Sequence, residues 1–130
     1  MTGDPYDLDR FVRAQSGGVY EQALDELSTG RKTSHWMWFI FPQHRDLGRS
    51  GTAKFYGLSG IEEAAAYASH LTLGERLRQC CQAILPHLRA GPAADILGPI
   101  DTMKLRSSME IFAQAVPHEE LFRAVADTIR

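Results

Sequence analysis

Between His35 and Pro42 the chain carries six apolar residues in a row, Trp36-Met37-Trp38-Phe39-Ile40-Phe41, and any fold it adopts must enclose them. The run is apolar on every face, helical or extended, so it belongs in an interior. It is far shorter than the roughly 20 residues that cross a bilayer. The interior must therefore be built by the remainder of a 130-residue chain, a length that fits one domain spanning 1–130. With 44% hydrophobic and 23% charged residues, the chain can form a core without a metal or a disulfide. Periodicity alone does not choose helix or strand for the run. Thr33-Ser34 as a cap and Pro42 as a stop favour a short central helix.

The flanking segments read as helices separated by short breaks. Leu8, Phe11 and Val12 form a stripe on a helix over about 7–15, broken by Ser16-Gly17-Gly18. Tyr20, Ala23, Leu24 and Leu27 share a face of a helix over 19–27, which Gly30 ends, with Arg31-Lys32 suited to the negative end of its dipole. Ser50 can cap a helix over 51–56, which Gly57 would end. Ser59-Gly60-Ile61-Glu62 has capping-box spacing before a helix over 61–69, and Thr72-Leu73-Gly74-Glu75 repeats it before a helix over 73–89. Pro86 is expected to kink or shorten that helix. A single turn over 93–97, a helix over 100–115 and a last helix over 118–129 beginning after Pro117 complete the chain. No strand pair is evident. The prediction is an all-α single domain of about seven helices around a buried aromatic segment.

Fourteen basic and 16 acidic residues give a net charge of −2, which argues against a duplex nucleic-acid binder. The adjacent Cys80 and Cys81 provide neither a disulfide framework nor a zinc site. Cys81 falls on the apolar stripe and reads as a core residue. Met1 is followed by Thr2-Gly3-Asp4-Pro5, with no signal peptide or membrane anchor evident, so a cytoplasmic location is expected. The five histidines lack metal-ligand spacing, and no cofactor motif is present.

Three segments carry candidate chemistry. The His35–Gln43 block can wall a pocket for a flat ligand, with Trp36, Trp38 and Gln43 as contacts, or can simply be core. On a helix the two indoles lie about 200° apart and form no common platform, whereas in a strand they share a face. Leu47-Gly48-Arg49-Ser50-Gly51 precedes a helix; its free N–H groups, Arg49 and Ser50 can hold a phosphate, or the segment is an ordinary capped helix start. On the 100–115 helix, Asp101, Lys104 and Ser108 flank the core stripe of Leu105, Met109, Phe112 and Val116. A lysine and a carboxylate there are costly unless paired or used, so the cluster is either an anion-binding or proton-transfer site or a structural i,i+3 pair. A Ser-Lys nucleophile pair does not fit the order of Lys104 and Ser108.

Several of these blocks together resemble a bacterial family known only as domain of unknown function 1810, sometimes mislabelled calpastatin. The resemblance rests on Asp9-Arg10-Phe11-Val12-Arg13-Ala14-Gln15, on the His35–Gln43 block, on Glu63-Ala64 through Leu77, and on Asp101 through Phe112 with Lys104-Leu105 and Ser107-Ser108. It implies a mainly helical fold and no established activity. Glu110 stands where the family usually has threonine. Members often continue past the position of Arg130 through a short acidic and glycine-containing segment; if that segment closes a pocket, the expectation is that this protein lacks the activity or recruits a partner. A shorter likeness, Ser107-Ser108-Met109-Glu110 with Phe112-Ala113-Gln114, is to a motif of helical glycosidases acting on ADP-ribose-linked or riboside substrates.

The functional expectation is a pocket between the central aromatic helix and the 100–115 helix. It takes an anionic small molecule of nucleotide or ADP-ribose type. Arg49, Lys104, Ser50, Ser107 and Ser108 contact the ligand, and Trp36 or Trp38 stacks on it. His35, Asp101, Lys104, Ser108 and Glu110 are the candidates if catalysis occurs. The alternative is a noncatalytic domain that docks a partner or a second copy through Leu121, Phe122 and Val125, and homo-oligomerisation stays open.

Overall fold

The structure, a computed structural model, describes residues 3–129. Its described residues form nine α-helices: α1 (Asp9–Ala14), α2 (Val19–Thr29), α3 (Met37–Ile40), α4 (Gly51–Phe55), α5 (Ile61–Ser69), α6 (Leu71–Ala90), α7 (Ala93–Leu97), α8 (Pro99–Ala115) and α9 (Glu120–Asp127). A 3-10 turn covers Arg45–Leu47, and the sole extended pairing among the described residues is an isolated parallel bridge between His44 and Leu58. The all-helical expectation holds; the described residues form nine helices rather than about seven, because the short pieces α3, α4 and α7 each form a helix of their own.

Two long helices organise the rest. α6 packs against α1, α2, α5, α7 and α9, and α8 packs against α5, α7 and α9. Leu73, Leu77, Cys80, Cys81, Ile84 and Leu88 bury one face of α6. Leu105, Met109 and Phe112 do the same for α8. An aromatic series crosses the layers: the rings of Phe11 and Tyr67 meet edge-on at 5.0 Å, Tyr67 and Phe112 lie 5.5 Å apart, and Phe112 and Phe122 lie 5.6 Å apart. Each fully buried large side chain stabilises the fold by about 1.5–3 kcal/mol, so this series ties α1, α5, α8 and α9 into one core.

Some helix ends follow expectation and others differ. α2 stops at Gly30, whose φ of 78° is left-handed; its N–H meets the Leu27 carbonyl, and the Arg31 N–H meets that of Glu26. α6 begins two residues before the expected start. The His70 ring nitrogen Nδ1 accepts from the Thr72 and Leu73 N–H groups, taking the cap role assigned to Thr72. Nor does Pro86 end it: α6 continues to Ala90, because the proline faces solvent, where water can satisfy the carbonyl it leaves unpaired. At α5 the reciprocal acid is Glu63, not Glu62; its carboxylate accepts from both the N–H and the hydroxyl of Ser59. The last helix spans only Glu120–Asp127, with Pro117 and His118 in the preceding turn.

The aromatic run forms one helical turn, and Thr33-Ser34 does not cap it. Trp36, Met37, Ile40 and Phe41 are buried, while Trp38 and Phe39 stand half-buried at the edge. The Phe39 carbonyl, left over at the end of so short a helix, accepts from Gln15 Nε2 at 2.7 Å and from the Tyr67 hydroxyl at 3.3 Å.

Candidate functional site

The loop from α2 to α3 wraps around one carboxylate. Glu26 is buried and accepts from the Thr33 and Ser34 N–H groups, the Ser34 hydroxyl, Gln22 Nε2 and Trp36 Nε1, at 2.6–3.0 Å. Burial alone would raise its pKa. The hydrogen bonds from Ser34, Gln22, Thr33 and Trp36 outweigh that and hold the carboxyl well below the usual range. The clasp fixes Trp36 as core and sets the course of residues 31–36. Lys32, expected merely to complement the α2 dipole, is carried across to α8.

There Asp101 meets two lysines. Its Oδ2 lies 3.0 Å from Lys32 Nζ and its Oδ1 lies 3.8 Å from Lys104 Nζ. The side chains are 10%, 20% and 25% exposed for Lys32, Asp101 and Lys104, so one carboxylate serves two poorly hydrated cations. Each ammonium also rests against an indole. Lys32 Nζ is 5.1 Å from the Trp36 ring centroid, and Lys104 Nζ is 5.3 Å from that of Trp38. Lys32, Asp101 and Lys104 alone sum to one positive unit, and the ionised Glu26, bonded to the Trp36 indole that Lys32 faces, offsets it.

One turn further along α8 a cleft of about 590 Å3 opens against the start of α5 and the 3-10 turn. It is lined by His44, Leu47, Gly60, Ile61, Ser107, Glu110, Ile111 and Gln114. Ser107 follows Lys104 at i+3, so the two share one side of the helix. The volume falls in the range of small-molecule sites. Glu110 at its edge is half-exposed and lies 3.6 Å from Arg106. Another cleft of about 500 Å3, at the α8–α9 junction, is lined by Glu119, Glu120, Arg123 and Asp127 among others and holds none of the residues singled out from sequence.

The remaining candidates are placed as follows. Trp36 is 1% exposed with its indole N–H engaged, so of the two indoles that of Trp38 is the more accessible. Ser108 is fully buried, and its hydroxyl has no hydrogen-bond partner among the described residues. His35 is exposed, and Gln43 is half-buried. Arg49 and Ser50 lie on the segment before α4. The Ser50 hydroxyl accepts from the Ala53 N–H at 3.0 Å, an ordinary cap on a five-residue helix. On α9, Phe122 and Val125 are buried and Leu121 is half-buried, so the apolar face proposed for docking is part of the core. The described residues contain no group of three or more metal-ligating side chains. No described helix is long and apolar enough to cross a membrane. Burial pushes the Cys80 thiol up to about 12 and that of Cys81 well above its ordinary value.

Glu26 and Lys32 escaped the sequence reading, as did Gln15 and the Arg10–Glu63 pair. Glu26 lies off the apolar stripe of α2 and looks like a solvated acid; only the return of the chain over it reveals the clasp.

No curated protein matches the chain. Its structure is similar to the crystal structure of the conserved hypothetical protein Rv1873 from Mycobacterium tuberculosis, with 46% sequence identity and a TM-score of 0.90 over 95% of this chain and 87% of that one. Residues 5–129 match the family described as a protein of unknown function, DUF1810. The expected resemblance is thus correct, and this chain belongs to the DUF1810 family.

Proposed function

We propose that the protein binds a small anionic ligand, of nucleotide or ADP-ribose type, along the side of α8 that runs from Lys104 to the cleft beside Ser107. The observation that carries this reading is the pair of half-buried lysines sharing the single carboxylate of Asp101, each seated on an indole. Lys104, the more exposed lysine and the farther from Asp101, would contact the anion, with Trp38 offering a flat face to a ring. Ser107 supplies a hydroxyl at the cleft. Asp101 and Glu110 would be the acids for proton transfer if the ligand reacts. Ser108 lies too deep to contact a ligand in this conformation.

The test is a thermal-shift screen of nucleotides, ADP-ribose and sugar phosphates, followed by calorimetry on wild-type protein and Lys104→Ala. A ligand at 100 times its dissociation constant stabilises by about 2.7 kcal/mol. Wild-type affinity in Lys104→Ala, or no stabilising ligand in the screen, refutes the reading. Self-association is a second reading, favoured by Ile100 and Met103, which are 72% and 67% exposed one turn apart on α8. A strict monomer in sedimentation velocity would remove it.

A further inference from the structure

Residues 43–58 fold back on themselves into a hook. The Leu58 N–H donates to the Gln43 carbonyl at 2.8 Å, and the Arg45 N–H donates to the Leu58 carbonyl at 2.9 Å. The two ends press together so closely that a Cβ on Gly57 would lie 2.2 Å from the Arg45 Cβ and 2.3 Å from its Cα. Glycine at 57 is what permits that approach, and the approach fixes Arg45 beside Lys54.

Arg45 and Lys54 are exposed and make no ion pair among the described residues. Both line a hollow of about 300 Å3 together with Tyr6, Arg10, Phe55 and Glu63. Both also line an adjoining hollow of about 550 Å3 with Asp46. Within the first hollow, Arg10 and Glu63 neutralise each other at 2.9 Å. Asp46 lines only the second hollow, and the His44 Nδ1 accepts from its N–H at 3.0 Å. Arg45 and Lys54 are therefore the uncompensated charges of the first hollow. The Phe55 ring beside them is 53% exposed and is steadied edge-on by Tyr56, with centroids 4.9 Å apart.

Two unpaired cations around an accessible aromatic ring match a phosphate ester that carries a flat base. The guanidinium takes phosphoryl oxygens in a fork, the ammonium adds charge, and the ring face accepts stacking. We infer that this hollow is a binding site for a nucleoside monophosphate group, with Arg45 and Lys54 on the phosphate and Phe55 against the base. The site is separate from the cleft on α8 and does not depend on it.

The probes are AMP, ribose 5-phosphate and adenosine, titrated into 15N-labelled protein and followed by the amide resonances of residues 45–48 and 54–57. AMP is expected to shift these signals saturably. Ribose 5-phosphate, lacking the base, and adenosine, lacking the phosphate, should each bind on the order of tenfold more weakly or worse. The double variant Arg45→Gln/Lys54→Gln, altered at two exposed side chains, should keep the remaining spectrum and lose at least about tenfold in AMP affinity. Wild-type affinity in that variant, or AMP shifts confined to α8, overturns the site. Equal affinity for AMP and ribose 5-phosphate overturns the role of Phe55.

Discussion

Lys104 stands with its ammonium 5.3 Å from the centre of the Trp38 ring while also facing Asp101 at 3.8 Å. Two helices far apart in sequence thus share one charged contact at the protein surface. Its contribution to stability is small, because the 3.8 Å contact is long and Asp101 has a closer partner in Lys32 at 3.0 Å. Lys104→Met is therefore expected to change folding stability by less than about 1 kcal/mol. The indole, however, loses a nearby cation, so tryptophan emission should shift. Chemical denaturation and a fluorescence spectrum of the same sample check both statements. A large loss of stability would show that Lys104 is structural.

Glu26 behaves oppositely. Its carboxylate is buried and accepts five hydrogen bonds, and Glu26→Ala strands the donors that surround it. A loss of about 3 kcal/mol or more is expected. Equilibrium urea unfolding measures it, and a loss under 1 kcal/mol would contradict the clasp.

The same group gives a pH dependence with a defined sign. The folded-state pKa of Glu26 lies below its ordinary value of 4.5. Its stabilising contribution is complete above that ordinary value and fades as pH falls through the carboxylate range toward the depressed one. The Asp4 carboxyl is also lowered, by hydrogen bonds from the Asp9 and Leu8 N–H groups, and acts in the same direction. Glu26→Gln should therefore unfold with a shallower loss of stability between pH 5 and pH 3 than the wild type. Parallel acid-dependent slopes would refute the assignment.

Arg10 places all its donor groups. It donates to the carbonyls of Phe55, Tyr6, Asp7 and Gly57 and to the Glu63 carboxylate. Arg10→Ala would leave a buried acid without its cation, at a cost of about 3–5 kcal/mol. Lysine keeps the charge but lacks the planar fork, so Arg10→Lys should recover only part of the loss. Thermal unfolding of the two variants separates charge from geometry; full recovery by lysine would mean that charge alone is needed.

The two thiols offer a direct check on the core. Both are buried, and burial disfavours their thiolates. Native protein at pH 8 should resist a thiol-reactive disulfide reagent, and guanidinium-unfolded protein should react at both cysteines. Fast native labelling would place α6 differently.

The amino-acid sequence by itself determined the helices and what they bury. Stripes such as Tyr20-Ala23-Leu27 and Leu105-Met109-Phe112 recur at the helical period, and Gly30 and Ser50 mark ends through backbone and side-chain chemistry confined to one turn. The same local logic placed Lys104 and Asp101 together, since three residues on a helix are always neighbours. Tertiary structure alone decided who joins them. Lys32 reaches Asp101 only because residues 31–36 are wound around Glu26. Arg45 stands beside Lys54 only because Gly57 lets two chain segments touch. Periodicity describes the face a residue occupies on its own helix, but the partner across a gap depends on how separate elements pack. Contacts over tens of residues leave no regular spacing in the chain to read.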